Sequence, residues 1–142
     1  MFKMIYSNYN EITGISTVTL STDLGEFTGT AKLHEEDREI ASNYFGCQLA
    51  EVRALVEYSK RKKMIARQQY LMLKNLYSNI EQMTEFDEND VAARKMRRKI
   101  YELHREWKKW NNNVETLKMN IKHSCEERVA MINKFKNKGK NE

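Results

Sequence analysis

From about Asp37 to Lys138 apolar residues recur at alternating three- and four-residue steps, with one strong interruption at Thr84-Glu85-Phe86-Asp87-Glu88-Asn89-Asp90. Before it they are Leu49, Val52, Val56, Ala66, Tyr70, Leu73, Tyr77 and Ile80. After it they are Ala93, Met96, Ile100, Leu103, Trp107, Trp110, Val114, Leu117, Ile121, Met131 and Phe135. That spacing lays each set along one stripe of a helix, the seam of a coiled coil or helical hairpin. The chain contains no proline to break either helix. The pattern predicts helices over 37–83 and 88–138, folded back antiparallel, each roughly 70 Å long at 1.5 Å per residue. Asp87, Asn89 and Asp90 are all competent N-caps for the second. Residues 139–142 read as a frayed polar tail.

The first 35 residues follow a different pattern. Ile15-Ser16-Thr17-Val18-Thr19-Leu20 and Glu26-Phe27-Thr28-Gly29-Thr30-Ala31-Lys32-Leu33 alternate and are rich in β-branched residues. Thr22-Asp23-Leu24-Gly25 between them supplies turn chemistry, so the two form a hairpin. Phe2 to Tyr6 is a third strand, joined through Asn8-Tyr9-Asn10. Gly29 within a strand points to a bulge, or else to close approach by a backbone or ligand. Gly46 early in a helix marks a close contact or a local break, because glycine there costs about 1 kcal/mol against alanine. Three short strands are not secure alone and must pack on the helices. The fold class is α+β: a small antiparallel three-stranded sheet, then a long two-helix hairpin, in one domain. A second apolar stripe, Leu55, Leu76, Met83, Val129 and Ile132, would be left uncovered by a single hairpin, which predicts a homo-oligomer.

Matching the two seams pairs Ile80 with Ala93, Leu73 with Ile100, Ala66 with Trp107 and Val52 with Ile121, and sets Cys47 near Cys125. The seam is then broken twice. Ser59 and Lys63, within Lys60-Arg61-Lys62-Lys63, face Trp107-Lys108-Lys109-Trp110-Asn111-Asn112-Asn113. Indoles, amides and cations together can stack on a base, read its edge and neutralise phosphate. Alternatively, Trp107 and Trp110 are core and the asparagines a wet face. The second break is Ser124 and Arg128, with Phe45 and Gly46 opposite and Arg53 near the same junction. A buried arginine without an anion is costly. Arg128 therefore holds either a ligand phosphate in a recess beside Gly46 or a carboxylate from Glu36, Glu39 or Glu51. Candidate ligand-binding residues are Arg128, Asn111, Asn112, Trp107, Trp110, Lys63, Arg53 and Ser124.

Composition adds limits. The 142 residues carry a net charge of +5, which suits an anionic partner but equally a solvated coiled-coil surface. Two cysteines suggest buried thiols rather than a disulfide framework. There is no phosphate-binding Gly-x-x-x-x-Gly-Lys-Ser/Thr loop and no Cys-x-x-Cys. His34, His104 and His123 form no metal-ligand or nucleophile–base spacing. His104 and His123 read as surface residues. No catalytic constellation, metal site or cofactor is expected. No stretch approaches a membrane span, no signal peptide is visible, and a cytosolic protein is expected.

Three segments resemble one known family. Thr13-Gly14-Ile15-Ser16-Thr17-Val18-Thr19-Leu20, Gly25-Glu26-Phe27-Thr28-Gly29-Thr30-Ala31-Lys32-Leu33 and Gly46-Cys47-Gln48-Leu49-Ala50-Glu51-Val52-Arg53-Ala54 look like the N-terminal half of phage anti-Thoeris sponge proteins of the first-described type. The likeness spans roughly residues 13–54 and carries over no site residue in the second helix. It implies an N-terminal sheet with two long helices, assembled as dimers and higher oligomers in the host bacterial cytoplasm. It also implies sequestration, without cleavage, of cyclic ADP-ribose isomers made by host TIR-domain enzymes, and in some members of cyclic trinucleotides. The alternative is a basic coiled-coil structural or nucleic-acid-binding phage protein.

Overall fold

A computed structural model describes residues 2–32 and 43–140. It contains three strands, β1 (Phe2–Asn10), β2 (Ile15–Thr22) and β3 (Gly25–Lys32), and two helices, α1 (Asn43–Glu81) and α2 (Val91–Lys140). The expected start of the first helix at Asp37 lies outside the described residues, as do Glu36 and Glu39. The chain divides into two compact units, Met1–Tyr58 with Glu115–Glu142, and Ser59–Val114.

In the first unit the strands form one antiparallel sheet in the order β1-β2-β3. The period-two pattern of β2 explains its central place. Ser16, Val18 and Leu20 are buried, while Ile15, Thr17 and Thr19 on the other face are partly exposed. Across the sheet Leu20 pairs with Phe27, Val18 with Gly29 and Ser16 with Ala31, so one face of β3 continues the buried face of β2. The opposite face is polar, and Thr19 and Thr28 share a hydroxyl hydrogen bond of 2.9 Å across it.

The buried face packs on α1. Its core is Val18, Leu20, Ala31, Ala50 and Ala54, with Cys47, Leu49 and Leu55 against it. Gly46, Ala50 and Ala54 are four residues apart and so share one ridge of the helix. This ridge of small residues lets helix and sheet come close. A Cβ added at Gly29 would overlap the carbonyl oxygen of Ala50 and the amide nitrogen of Ala54. Gly29 is thus a point of close approach and not a bulge; the irregular step in the sheet lies in β1, between Met4 and Tyr6. Gly46 likewise marks a close contact, with Ser16, and α1 runs through it unbroken. Tyr58 closes this packing: its ring meets Phe27 edge-on at 5.7 Å, and its hydroxyl donates to Asp23 Oδ1 at 2.6 Å in the β2–β3 turn.

Several boundaries differ from the sequence expectation, and α1 ends at Glu81 rather than at residue 83. β1 continues through Asn8-Tyr9-Asn10 and the turn follows it. Asn10 Oδ1 accepts the amides of Ile12 and Thr13, the Asn10 carbonyl accepts the Gly14 amide at 2.7 Å, and Gly14 takes φ 71°. Such a side-chain-to-backbone turn favours asparagine at its start and glycine at its positive-φ position. α2 begins at Val91 rather than near Glu88. Asp87 Oδ1 accepts the Asn89 amide, the Asp87 carbonyl accepts the Asp90 amide, and the Asp90 carbonyl accepts the first helical bond, from Arg94. α2 also extends through Gly139 to Lys140, beyond the expected end at Lys138.

The expected seam describes burial within both units. Val56, Ala66, Ala93, Leu103 and Val114 are buried, and Tyr70, Leu73, Tyr77, Ile80, Met96, Ile100, Leu117 and Ile121 are partly so. Ile80 and Ala93 line one recess in the second unit, and Val52 and Ile121 line one in the first, in the expected register. The seam shifts near the C-terminus, where Ile132 is buried and Met131 is 53% exposed. Of the second stripe, Leu76, Met83 and Val129 are exposed, whereas Leu55 packs against the core and Ile132 is buried.

Candidate functional site

In the first unit a recess of about 360 Å³ opens between α1 and α2. Phe45, Gln48, Leu49, Val52, Ile121 and Ser124 are among its lining residues, with Glu51 and Asn120 adding polar groups. Helical spacing produces this. Phe45, Gln48 and Val52 lie within two turns of α1, and Ile121 and Ser124 lie three apart on α2, so both sets reach one groove. Arg128 lies one turn beyond Ser124, and its guanidinium sits over the Phe45 ring, 5.3 Å from the centroid. This is the neighbour expected for Arg128. The recess collects an aromatic face, two amides, a hydroxyl and the Glu51 carboxylate, and the Arg128 guanidinium stands against Phe45 beside these lining residues. A stacked cation of this kind is worth about 0.5–2 kcal/mol, depending on desolvation.

Arg53 is placed differently. Its Nη1 donates to the Thr30 carbonyl at 2.8 Å, on the outer edge of β3, so its charge serves the helix–sheet contact. Cys47 and Cys125 are free thiols, and Ser7 Oγ donates to Cys47 Sγ at 3.4 Å.

In the second unit the mid-hairpin break resolves into an aromatic cluster. Tyr70 lies 5.0 Å from His104 and 5.8 Å from Trp107, His104 meets Trp107 at 5.7 Å, and Arg67 stands 5.7 Å over the Trp107 ring. His104 is therefore half-buried against Tyr70 and Trp107 rather than fully at the surface; His123 is exposed and pairs with Glu127 at 3.0 Å. Trp107 Nε1 is buried without a hydrogen-bond partner, an arrangement that costs about 1–3 kcal/mol. Trp110 Nε1 donates to Glu106 Oε1 on its own helix at 2.9 Å, and Lys109 lies over its ring. Asn111 is half-buried, Asn112 exposed and Lys63 half-buried, while Ser59 is buried. α2 passes through the three asparagines without a break.

The eight candidate residues thus fall in different surroundings. Arg128 and Ser124 belong to the recess region, and Trp107 joins an aromatic cluster in the other unit. Arg53 and Trp110 bond within the fold, and Lys63, Asn111 and Asn112 lie along the hairpin. Sequence reasoning missed Gln48 and Asn120 for the recess. Their signal was an amide on each helix, each one turn from a seam residue. It also missed the Tyr70–His104 contact, which the seam register already implied.

Among the described residues no group of three or more histidine, cysteine or acidic side chains could hold a metal ion, and no helix is long and apolar enough to cross a membrane. No family model, curated protein or solved structure matches the chain.

Proposed function

We propose that this protein binds a small cyclic nucleotide and sequesters it unchanged, as a phage-encoded anti-defence protein acting on cyclic ADP-ribose-type signals in the host bacterial cytoplasm. The observation that carries the reading is the recess lined by Phe45, Gln48, Asn120 and Ser124, with the Arg128 guanidinium over the Phe45 ring beside it. An adenine needs an aromatic face and groups that bond its edge, and a pyrophosphate needs a guanidinium. Phe45, Gln48, Asn120, Ser124 and Arg128 are those groups, and the resemblance of residues 13–54 points to the same chemistry. We take the protein to act as a homo-oligomer, because Leu71, Met72 and Leu76 are exposed along α1 and Met83 is exposed just beyond its end. No catalytic step is part of this reading.

The test is mass spectrometry of ligand released by heat, after incubation with lysate from cells with an active TIR-domain enzyme. An intact cyclic ADP-ribose species is expected from the wild type, and a loss of at least about tenfold in Phe45→Ala and Arg128→Ala. Empty protein, or a chemically altered nucleotide, overturns the proposal.

One observation favours a second reading, in which the chain is a basic coiled-coil protein that binds nucleic acid. Arg94, Lys95, Arg98 and Lys99 are all exposed along one short stretch of α2. That reading expects polyanion binding that falls steeply with salt, with no preference for a cyclic nucleotide.

A further inference from the structure

The turn that joins α1 to α2 is built, not frayed. Phe86 meets Tyr77 edge-on at 5.9 Å. Arg97 donates from Nη1 to the Tyr77 hydroxyl and from Nη2 to the Glu88 carbonyl, both at 2.7 Å, and so ties the turn to the helices. Beneath it lies a recess of about 380 Å³. Its wall is apolar, from Tyr77, Ile80, Phe86 and Met96, and Glu85, Asp87 and Asp90 stand at it as well. Met83 and Val91 beside it are 62% and 63% exposed. From Glu81 to Asp90 the chain carries five carboxylates and no cation. An apolar recess rimmed by carboxylates suits an apolar side chain carried next to cations.

The chain itself contains such a segment. From Lys134 to Lys140 it has four lysines and no carboxylate. The preceding turns of α2 expose Val129 and Met131, at 56% and 53%. We infer that the C-terminal end of α2 of a second copy docks on the turn recess, its Met131 side chain entering the recess while Lys134 and Lys138, on the same face of the helix, meet Glu85 and Glu88. The contact joins two different surfaces, so it repeats head to tail and produces a closed ring or an open filament. The inference rests on the homo-oligomer reading and not on the nucleotide reading.

Charge exchange in the full-length chain tests it. Glu85, Glu88, Lys134 and Lys138 are exposed, so their reversal leaves the fold intact, which circular dichroism checks. Sedimentation velocity over a concentration series follows the assembly. Glu85→Lys with Glu88→Lys is expected to weaken it by at least about tenfold, as is Lys134→Glu with Lys138→Glu, because like charges then face each other. All four substitutions in one chain are expected to restore the wild-type size. An assembly indifferent to the first pair overturns the inference while the homo-oligomer reading stands, and so does a fourfold variant no better than either pair. A monomer at every concentration overturns both.

Discussion

Replacing Gly29 by alanine tests the packing of sheet on helix most directly. In the interior of a strand the change should help by about 0.5–1 kcal/mol, because glycine loses more freedom on folding. Here the added methyl meets the Ala50 carbonyl and, at 2.6 Å, the Ala54 amide nitrogen. Both are helix backbone, so no side chain can rotate aside and α1 must lift from β3. Overpacking costs about 1–3 kcal/mol, and a rigid backbone obstacle puts this site at about 3 kcal/mol. At about 2–4 °C per kcal/mol for a chain of this size, the melting temperature falls by about 6–12 °C. Two other glycines calibrate the result. Gly46→Ala meets the Ser16 hydroxyl, which can turn about χ1, and gains helix propensity, so it should stay within about 1 kcal/mol of wild type. Gly25→Ala has open space but φ of 104°, and should cost about 1–2 kcal/mol. Urea unfolding of the three variants gives the ranking. If Gly29→Ala were no worse than Gly46→Ala, the close approach of helix and sheet would be refuted.

Other consequences follow from single contacts. Tyr58→Phe removes the hydrogen bond to Asp23 and should cost about 1–2 kcal/mol in urea unfolding, with the Phe27 contact retained. Trp107→Phe keeps an aromatic ring but removes a buried N–H without a partner, so it should lie within about 1 kcal/mol of wild type. Trp107→Ala leaves a cavity among Tyr70 and His104 and should cost about 3 kcal/mol; equal costs for the two variants would show that the indole N–H has a partner. Asp87→Ala releases the Asn89 amide and should cost about 1 kcal/mol, read as faster amide hydrogen exchange over residues 86–92.

The seam was legible because burial on a long helix obeys a single period, and no proline or cap interrupts it between Asn43 and Glu81. β2 was legible for the same reason with a period of two. The misplaced first turn shows where that logic stops. Asn8-Tyr9-Asn10 has loop composition, yet Asn10 alone starts the turn, and the residue that needs unusual backbone angles is Gly14. Composition marks the neighbourhood of a turn, while the positive-φ residue marks its end. Gly29 is a similar case. A strand glycine alone leaves bulge and close approach undecided. The spacing Gly46, Ala50, Ala54 on the next helix resolves it, since small residues four apart can only face something near.

For the candidate site the useful signal was cost, not composition. Arg128 stands where the seam expects an apolar side chain, and a guanidinium is kept there only if something takes up its charge or its face. Phe45, one seam partner away, takes the face. Arg53 has the same charge and a nearby number, but its position on α1 borders the small-residue ridge, so it reaches the free carbonyl of Thr30 on the edge strand. The tryptophan–asparagine run was the richer pattern by composition. Along one helix, though, i and i+4 neighbours satisfy each other, and Trp110 already spends its N–H on Glu106. Trp107 points the other way, into Tyr70 and His104, where its N–H has no such neighbour. A residue out of place on a strict seam is therefore a better guide to a recess between the helices than a cluster of suitable side chains on one helix.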